Sequence, residues 1–143
     1  MVVLGIRGMM LITVLCGLGC AGQSVDRVSQ GAIIGDWFQC TNASCSTIGD
    51  DGMRLREDNI VLALDTKEGP IAPPVCVVVT ANQRPYEFDG TYISLDGQRV
   101  EIDVAGDRMT MIDVPVISSG EPSPMLQDVH MVRASTYESA SCP

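Results

Sequence analysis

The chain has 143 residues, enough for one domain, with 18 acidic and 9 basic residues and a net charge of −9. This balance argues against nucleic-acid binding, because few cations are present to neutralise a row of phosphates. It argues equally against docking onto anionic lipid by charge.

The first segment, residues 1–19, has the pattern of a secretory leader. Arg7 is its one cation, and an apolar run follows from Met9 to Gly19. At about 11 residues, this run is too short to cross a bilayer as a helix and is typical of a signal peptide. Six cysteines in so short a chain indicate the same oxidising compartment.

The leader ends in "CGLGCAG", with small residues directly before Cys20. This ending resembles the lipobox of bacterial lipoproteins, which implies that Cys20 is diacylated and begins the mature chain. Gly17 departs from the leucine that the family has at that place. The alternative is plain secretion with cleavage after Ala21. Because Ala21 and not aspartate follows Cys20, the resemblance implies an outer-membrane lipoprotein that faces the periplasm.

Residues 20–31 are small and polar and predict a tether between the lipid and the domain. The domain is predicted over residues 32–136, followed by a C-terminal tail of residues 137–143. Short alternating runs separated by turns fill the domain, and Asp96-Gly97 is the strongest hairpin signal among them. The β-branched run "VCVVVT" predicts a strand that is buried on both faces, and the prolines are predicted to fall between strands.

Four cysteines remain for the mature domain: Cys40, Cys45, Cys76 and Cys142. They allow three pairings. We favour Cys40–Cys45, which closes a short loop, together with Cys76–Cys142, which would hold the C-terminal tail on the domain. A zinc site is not predicted, because Cys-x4-Cys is not the usual zinc hook and His130 is the only histidine.

About eight strands in about 105 residues predict an all-β fold, a small antiparallel up-and-down β-barrel, with an open β-sandwich as the alternative. Gly35-Asp36-Trp37, at the start of the first strand, resembles the lipocalin-like barrels. So does "GTYISLDGQRVEIDVAGDRMTMID", which looks like small lipocalin-like domains of bacterial lipoproteins. In that family a glycine, a tryptophan and a last-strand arginine close one end, which implies Gly35, Trp37 and Arg133. A C-terminal cysteine bonded to a middle strand is also common there.

No catalytic, metal or cofactor site is predicted. Asp128 and His130 share a strand face, but neither a placed nucleophile nor an oxyanion hole accompanies them. The acidic stretches 49–52 and 103–107 lack the ligand count of a calcium loop and indicate solvated turns.

The function predicted is non-catalytic. An eight-stranded interior is either filled by side chains or holds one small ligand, and the methionines either line such a pocket or fill core gaps. We expect a cell-envelope lipoprotein, bound to the membrane through its lipid, that is either a binding module for a small apolar ligand or an envelope protein, or a structural module. The alternative is an inhibitor of a periplasmic protease or lysozyme, because bacterial alkaline-protease inhibitors have a comparable barrel and an acidic surface suits a basic enzyme.

Overall fold

The computed structural model describes residues 27–116 and 124–143. Outside the described residues lie the predicted leader, Cys20, the predicted tether up to residue 26, and residues 117–123. The elements in chain order are α1 (Gln30–Ile33), β1 (Gly35–Cys40), β2 (Thr47–Leu55), β3 (Ile60–Asp65), β4 (Gly69–Pro70), β5 (Val75–Phe88), β6 (Tyr92–Leu95), β7 (Gln98–Ala105), β8 (Arg108–Val116), β9 (Met125–Arg133) and β10 (Thr136–Glu138). Within these ranges, no helix is long enough to span a membrane.

Eight strands form a closed antiparallel barrel in the order β1-β9-β8-β7-β6-β5-β3-β2. The barrel closes because β1 pairs with β2 on one side and with β9 on the other, so that Trp37 lies opposite both Met53 and Arg133. The predicted all-β barrel is therefore confirmed, and the open sandwich is wrong. Strands β4 and β10 lie outside the barrel and pair with β2 and β5.

Two hydrophobic cores lie on opposite sides of the barrel wall. Successive side chains of a strand point to opposite faces, so Trp37 enters the interior core while Phe38 enters a second core on the outer surface. The buried interior residues are Ile33, Trp37, Leu55, Val61, Tyr86, Ile93, Ile102, Met109 and Met131. The buried outer residues are Phe38, Ile48, Leu64, Val75 and Val77.

The prediction that "VCVVVT" is buried on both faces is wrong. Val75 and Val77 are buried in the outer core, but the residues that alternate with them, Cys76 and Val78, are only half-buried. Burial is one-sided because the first three residues of β5 extend past the end of β3 and leave the barrel wall. One face of this segment meets the outer core, while the other does not enter the interior.

Two prolines lie within barrel strands, contrary to the prediction that they separate strands. Pro85 belongs to β5 and pairs with the first residue of β3, and Pro115 belongs to β8 just after a bulge. Both positions lie near strand ends or irregularities, where one missing N–H donor interrupts few ladder bonds. The acidic stretch 49–52, predicted to be a turn, likewise lies inside β2.

The folded domain is longer than predicted at both ends. Residues 27–31 are not tether, since the Val28 amide donates to the Gly90 carbonyl at 2.8 Å and the Val28 side chain packs on the interior core. At the other end, the predicted tail contributes to β10, which runs parallel to the start of β5. The overhang of β5 beyond β3 supplies the free edge on which β10 forms.

Candidate functional site

One end of the barrel is sealed by Trp37 and helix α1. The indole is fully buried, and its Nε1–H donates to the Ile33 carbonyl at 2.7 Å. Ile33, the last residue of α1, is also fully buried. The hydrogen bond satisfies the indole donor inside an apolar core, where an unpaired donor would be costly. This end is therefore filled with side chains.

The structure brings together the three residues predicted to close the barrel. The Arg133 guanidinium carbon lies 4.6 Å from the centre of the Trp37 ring. Arg133 also donates to the carbonyls of Ile34 at 3.2 Å and Ala32 at 2.5 Å. Gly35 has a φ of 137°, and a Cβ there would lie 3.3 Å from Arg133 Cδ. No local sequence signal predicts that Arg133 donates to these carbonyls at the end of α1.

A polar network that the sequence did not indicate holds β10 on the outer surface. Asp36 accepts from Arg54 Nε at 2.7 Å and Nη2 at 2.9 Å, and it also accepts from the Thr136 hydroxyl. Arg54 Nη1 reaches Glu138 of β10. The hydrogen bond to Asp36 raises the pKa of Arg54 above its ordinary value. These contacts serve the fold, since the four residues belong to β1, β2 and β10 and join the barrel to the strand outside it.

Two disulfides join Cys40 to Cys45 and Cys76 to Cys142, which is the pairing favoured from the sequence. The first closes the loop between β1 and β2. The second joins the overhanging start of β5 to the end of the chain, 66 residues later. Both therefore stabilise segments that surround the barrel rather than its interior.

A cavity of about 300 Å³ lies inside the barrel, away from the sealed end. Neither Trp37 nor Arg133 lines it, and it reaches the β6–β7 turn, which lies at the barrel end opposite Gly35. The apolar lining residues are Met53, Leu55, Val61, Tyr86, Ile93, Leu95, Val100, Met111 and Val114. Ligand sites of proteins range from roughly 300 to 1,000 Å³, so this cavity would suit a small molecule.

The remaining lining residues, Arg84, Asp96 and Gln98, place polar groups in the cavity wall beside the β6–β7 turn. Arg84 and Asp96 form an ion pair. Tyr86 lies deeper, where its hydroxyl donates to the Arg56 carbonyl at 2.8 Å, and burial raises the pKa of Tyr86. The cavity is thus apolar inside and polar at its edge, an arrangement that can bind an amphipathic molecule.

The other candidates from the sequence do not converge. His130 Nδ1 lies 3.2 Å from the Thr110 hydroxyl, whereas Asp128 accepts from the Asp113 amide at 3.1 Å. Their side chains thus have separate partners on the barrel exterior. Across the two described ranges, no cluster of three or more histidine, cysteine or acidic residues could hold a metal ion. Of the methionines, Met53 and Met111 line the cavity, and Met109 and Met131 fill core.

No protein-family model matches the sequence, and no curated protein matches it significantly. The cavity and the residues around it are therefore the features of the molecule that indicate a function.

Proposed function

We propose that the barrel is the lipocalin-like domain of a cell-envelope lipoprotein and binds one small apolar molecule in its cavity, without catalysing a reaction. The observation that carries this proposal is the 300 Å³ cavity, nine of whose lining side chains are apolar. Binding there would remove apolar ligand surface from water, which contributes roughly 25 cal/mol per Å². Two methionines in the wall, Met53 and Met111, can adapt their shape to the ligand.

The binding proposal is tested by titrating 1-octanol into the protein by isothermal calorimetry. Met111→Trp should fill the cavity and abolish binding, while Ile112→Trp, next to it on the opposite face of β8, should bind as the wild type does. Circular dichroism checks that both variants fold. Binding that survives Met111→Trp unchanged, or that is absent from the folded wild type, would contradict the proposal.

The membrane part of the proposal is attachment through Cys20, which would place the domain at the outer membrane on its periplasmic side. It is supported by the lipobox resemblance and by two disulfides, which are typical of an oxidising compartment. Labelled palmitate should enter the wild-type chain and not Cys20→Ala. Equal labelling of both chains would contradict lipidation of Cys20.

Enzyme inhibition is not proposed. It depends on acidic composition and a general likeness of barrels, and no contact among the described residues adds to it.

A further inference from the structure

Three polar residues in the cavity wall, Arg84, Asp96 and Gln98, bear on which class of ligand the cavity would bind. Arg84 faces the interior, because it pairs with Val61 and lies two residues before Tyr86 on β5, and both neighbours line the cavity. A charged residue on an interior row of a barrel is unusual, since burying a charge is costly unless it is paired. Arg84 is half-exposed and is paired, through its Nη1, with Asp96.

Asp96 is held at the cavity edge by the backbone. Asp96 and Gly97 form the two-residue turn between Leu95 and Gln98, with φ values of 51° and 78°. This is the geometry of a tight β-hairpin, in which aspartate and glycine are favoured. The turn therefore holds the Asp96 backbone beside Arg84, within reach of the ion pair.

The ion pair of Arg84 and Asp96 has no net charge, and both residues keep hydrogen-bonding groups that a ligand can contact. Within the described part of the chain, Asp96 Oδ2 is the one acceptor that Arg84 contacts, so its other N–H groups can donate to a bound molecule. Asp96 Oδ1 can accept in return, and the Gln98 amide can do either. A hydroxyl or amide head group would satisfy this set.

A ligand with a carboxylate head group would be attracted by one residue of the ion pair and repelled by the other. Its attraction to the Arg84 guanidinium would be offset by repulsion from the Asp96 carboxylate at a similar distance. To bind Arg84 closely it would have to compete with the Asp96 carboxylate for the guanidinium.

We propose that the cavity selects uncharged amphipathic ligands, such as primary amides or alcohols, and that Asp96 is the residue that excludes carboxylates. This selection depends on the proposed binding function. Arg84 would contact the ligand head directly, while Asp96 would set the charge that the head encounters.

The experiment compares octanamide with octanoate at about pH 7, where octanoate is ionised, by isothermal calorimetry. Wild type should bind octanamide at least about five-fold more tightly than octanoate. Asp96→Asn keeps a residue that tolerates positive φ and should tighten octanoate binding by about five-fold, with octanamide changing less than about two-fold. Asp89→Asn removes the partner of Arg99, in an ion pair outside the cavity lining, and should change neither.

Equal binding of the two ligands to wild type, or no gain for octanoate in Asp96→Asn, would overturn the charge selection and leave ligand binding intact. Failure of either ligand to bind any of the folded proteins would overturn both the selection and the binding function on which it depends.

Discussion

The guanidinium of Arg133 covers the indole of Trp37 at 4.6 Å and at the same time donates to the carbonyls of Ala32 and Ile34. One side chain of the last barrel strand thus joins the first strand to the helix before it. A lysine would keep the charge but lose the planar fork that reaches both carbonyls. We therefore expect the sealed end to depend on this geometry more than on the charge.

Arg133→Lys should therefore lower the free energy of unfolding by about 1–3 kcal/mol, because it weakens the cation–π contact and loses hydrogen bonds from a charged donor. Urea denaturation followed by Trp37 fluorescence measures this change. The matched control is Arg99→Lys, since Arg99 also covers an aromatic ring, Tyr92, at 3.9 Å but is 60% exposed. The control should lose less than about 1 kcal/mol; equal losses in the two variants would contradict the account.

Gly52→Ala should destabilise the barrel by about 1–3 kcal/mol. A Cβ at Gly52 would lie 2.9 Å from both the Phe38 ring and the Trp37 carbonyl oxygen, so the strand backbone would have to move. The control is Gly69→Ala, because a Cβ at Gly69 meets no atom within 4 Å. Thermal denaturation should show a lower midpoint for the first variant alone, and an unchanged midpoint would refute the close packing of Phe38 on β2.

Removal of the Cys76–Cys142 disulfide should cost more stability than removal of Cys40–Cys45. A disulfide lowers the entropy of the unfolded chain by closing a loop, and a longer loop gives a larger effect. On this basis the protein should lose about 4 kcal/mol without Cys76–Cys142, which are 66 residues apart, and about 2 kcal/mol without Cys40–Cys45, which are 5 apart. Paired Cys→Ser variants, unfolded in guanidinium, give the comparison. The reverse order would show that the first disulfide stabilises the native loop by more than loop closure.

Asp89 should make the free energy of unfolding depend on pH in the acidic range. Its carboxylate accepts from the amides of Tyr92 and Thr91 and from Arg99, and these hydrogen bonds lower its pKa to about 2. Because the folded pKa lies below the unfolded one of about 4, the contribution is present above about pH 4 and is lost as the pH falls towards 2.

The difference in thermal midpoint between wild type and Asp89→Asn should accordingly shrink between about pH 4 and about pH 2. The amide oxygen of asparagine can still accept from the two backbone amides, so the variant mainly removes the charge. A difference that stays constant across this range would contradict the assigned hydrogen bonds.

Local patterns predicted the barrel strands, because each hairpin has its own signal, as at Asp96-Gly97. Other features had no such signal. Arg54 is one of several arginines in alternating runs, and its bond to Asp36 depends on the pairing of β1 with β2. The strand β10 pairs with the part of β5 that overhangs β3, some sixty residues earlier in the chain.

The inward position of Arg84 was also missed. Arginine in an alternating run is normally assigned to the wet face, and only the pairing of β5 with β3 shows that Arg84 shares a face with Val61. The cavity depends on the sum of many side-chain volumes across six strands, which no single stretch of sequence determines.

The most direct test of the binding claim is a two-dimensional NMR titration of methyl-labelled methionines with 1-octanol. Met53 and Met111 line the cavity, Met109 is buried elsewhere in the core, and Met125 is 57% exposed. We expect saturable shifts of the Met53 and Met111 methyl signals, with Met109 and Met125 unchanged. Saturable shifts at Met125 alone, or unmoved Met53 and Met111 signals at saturating octanol, would contradict ligand binding in the cavity.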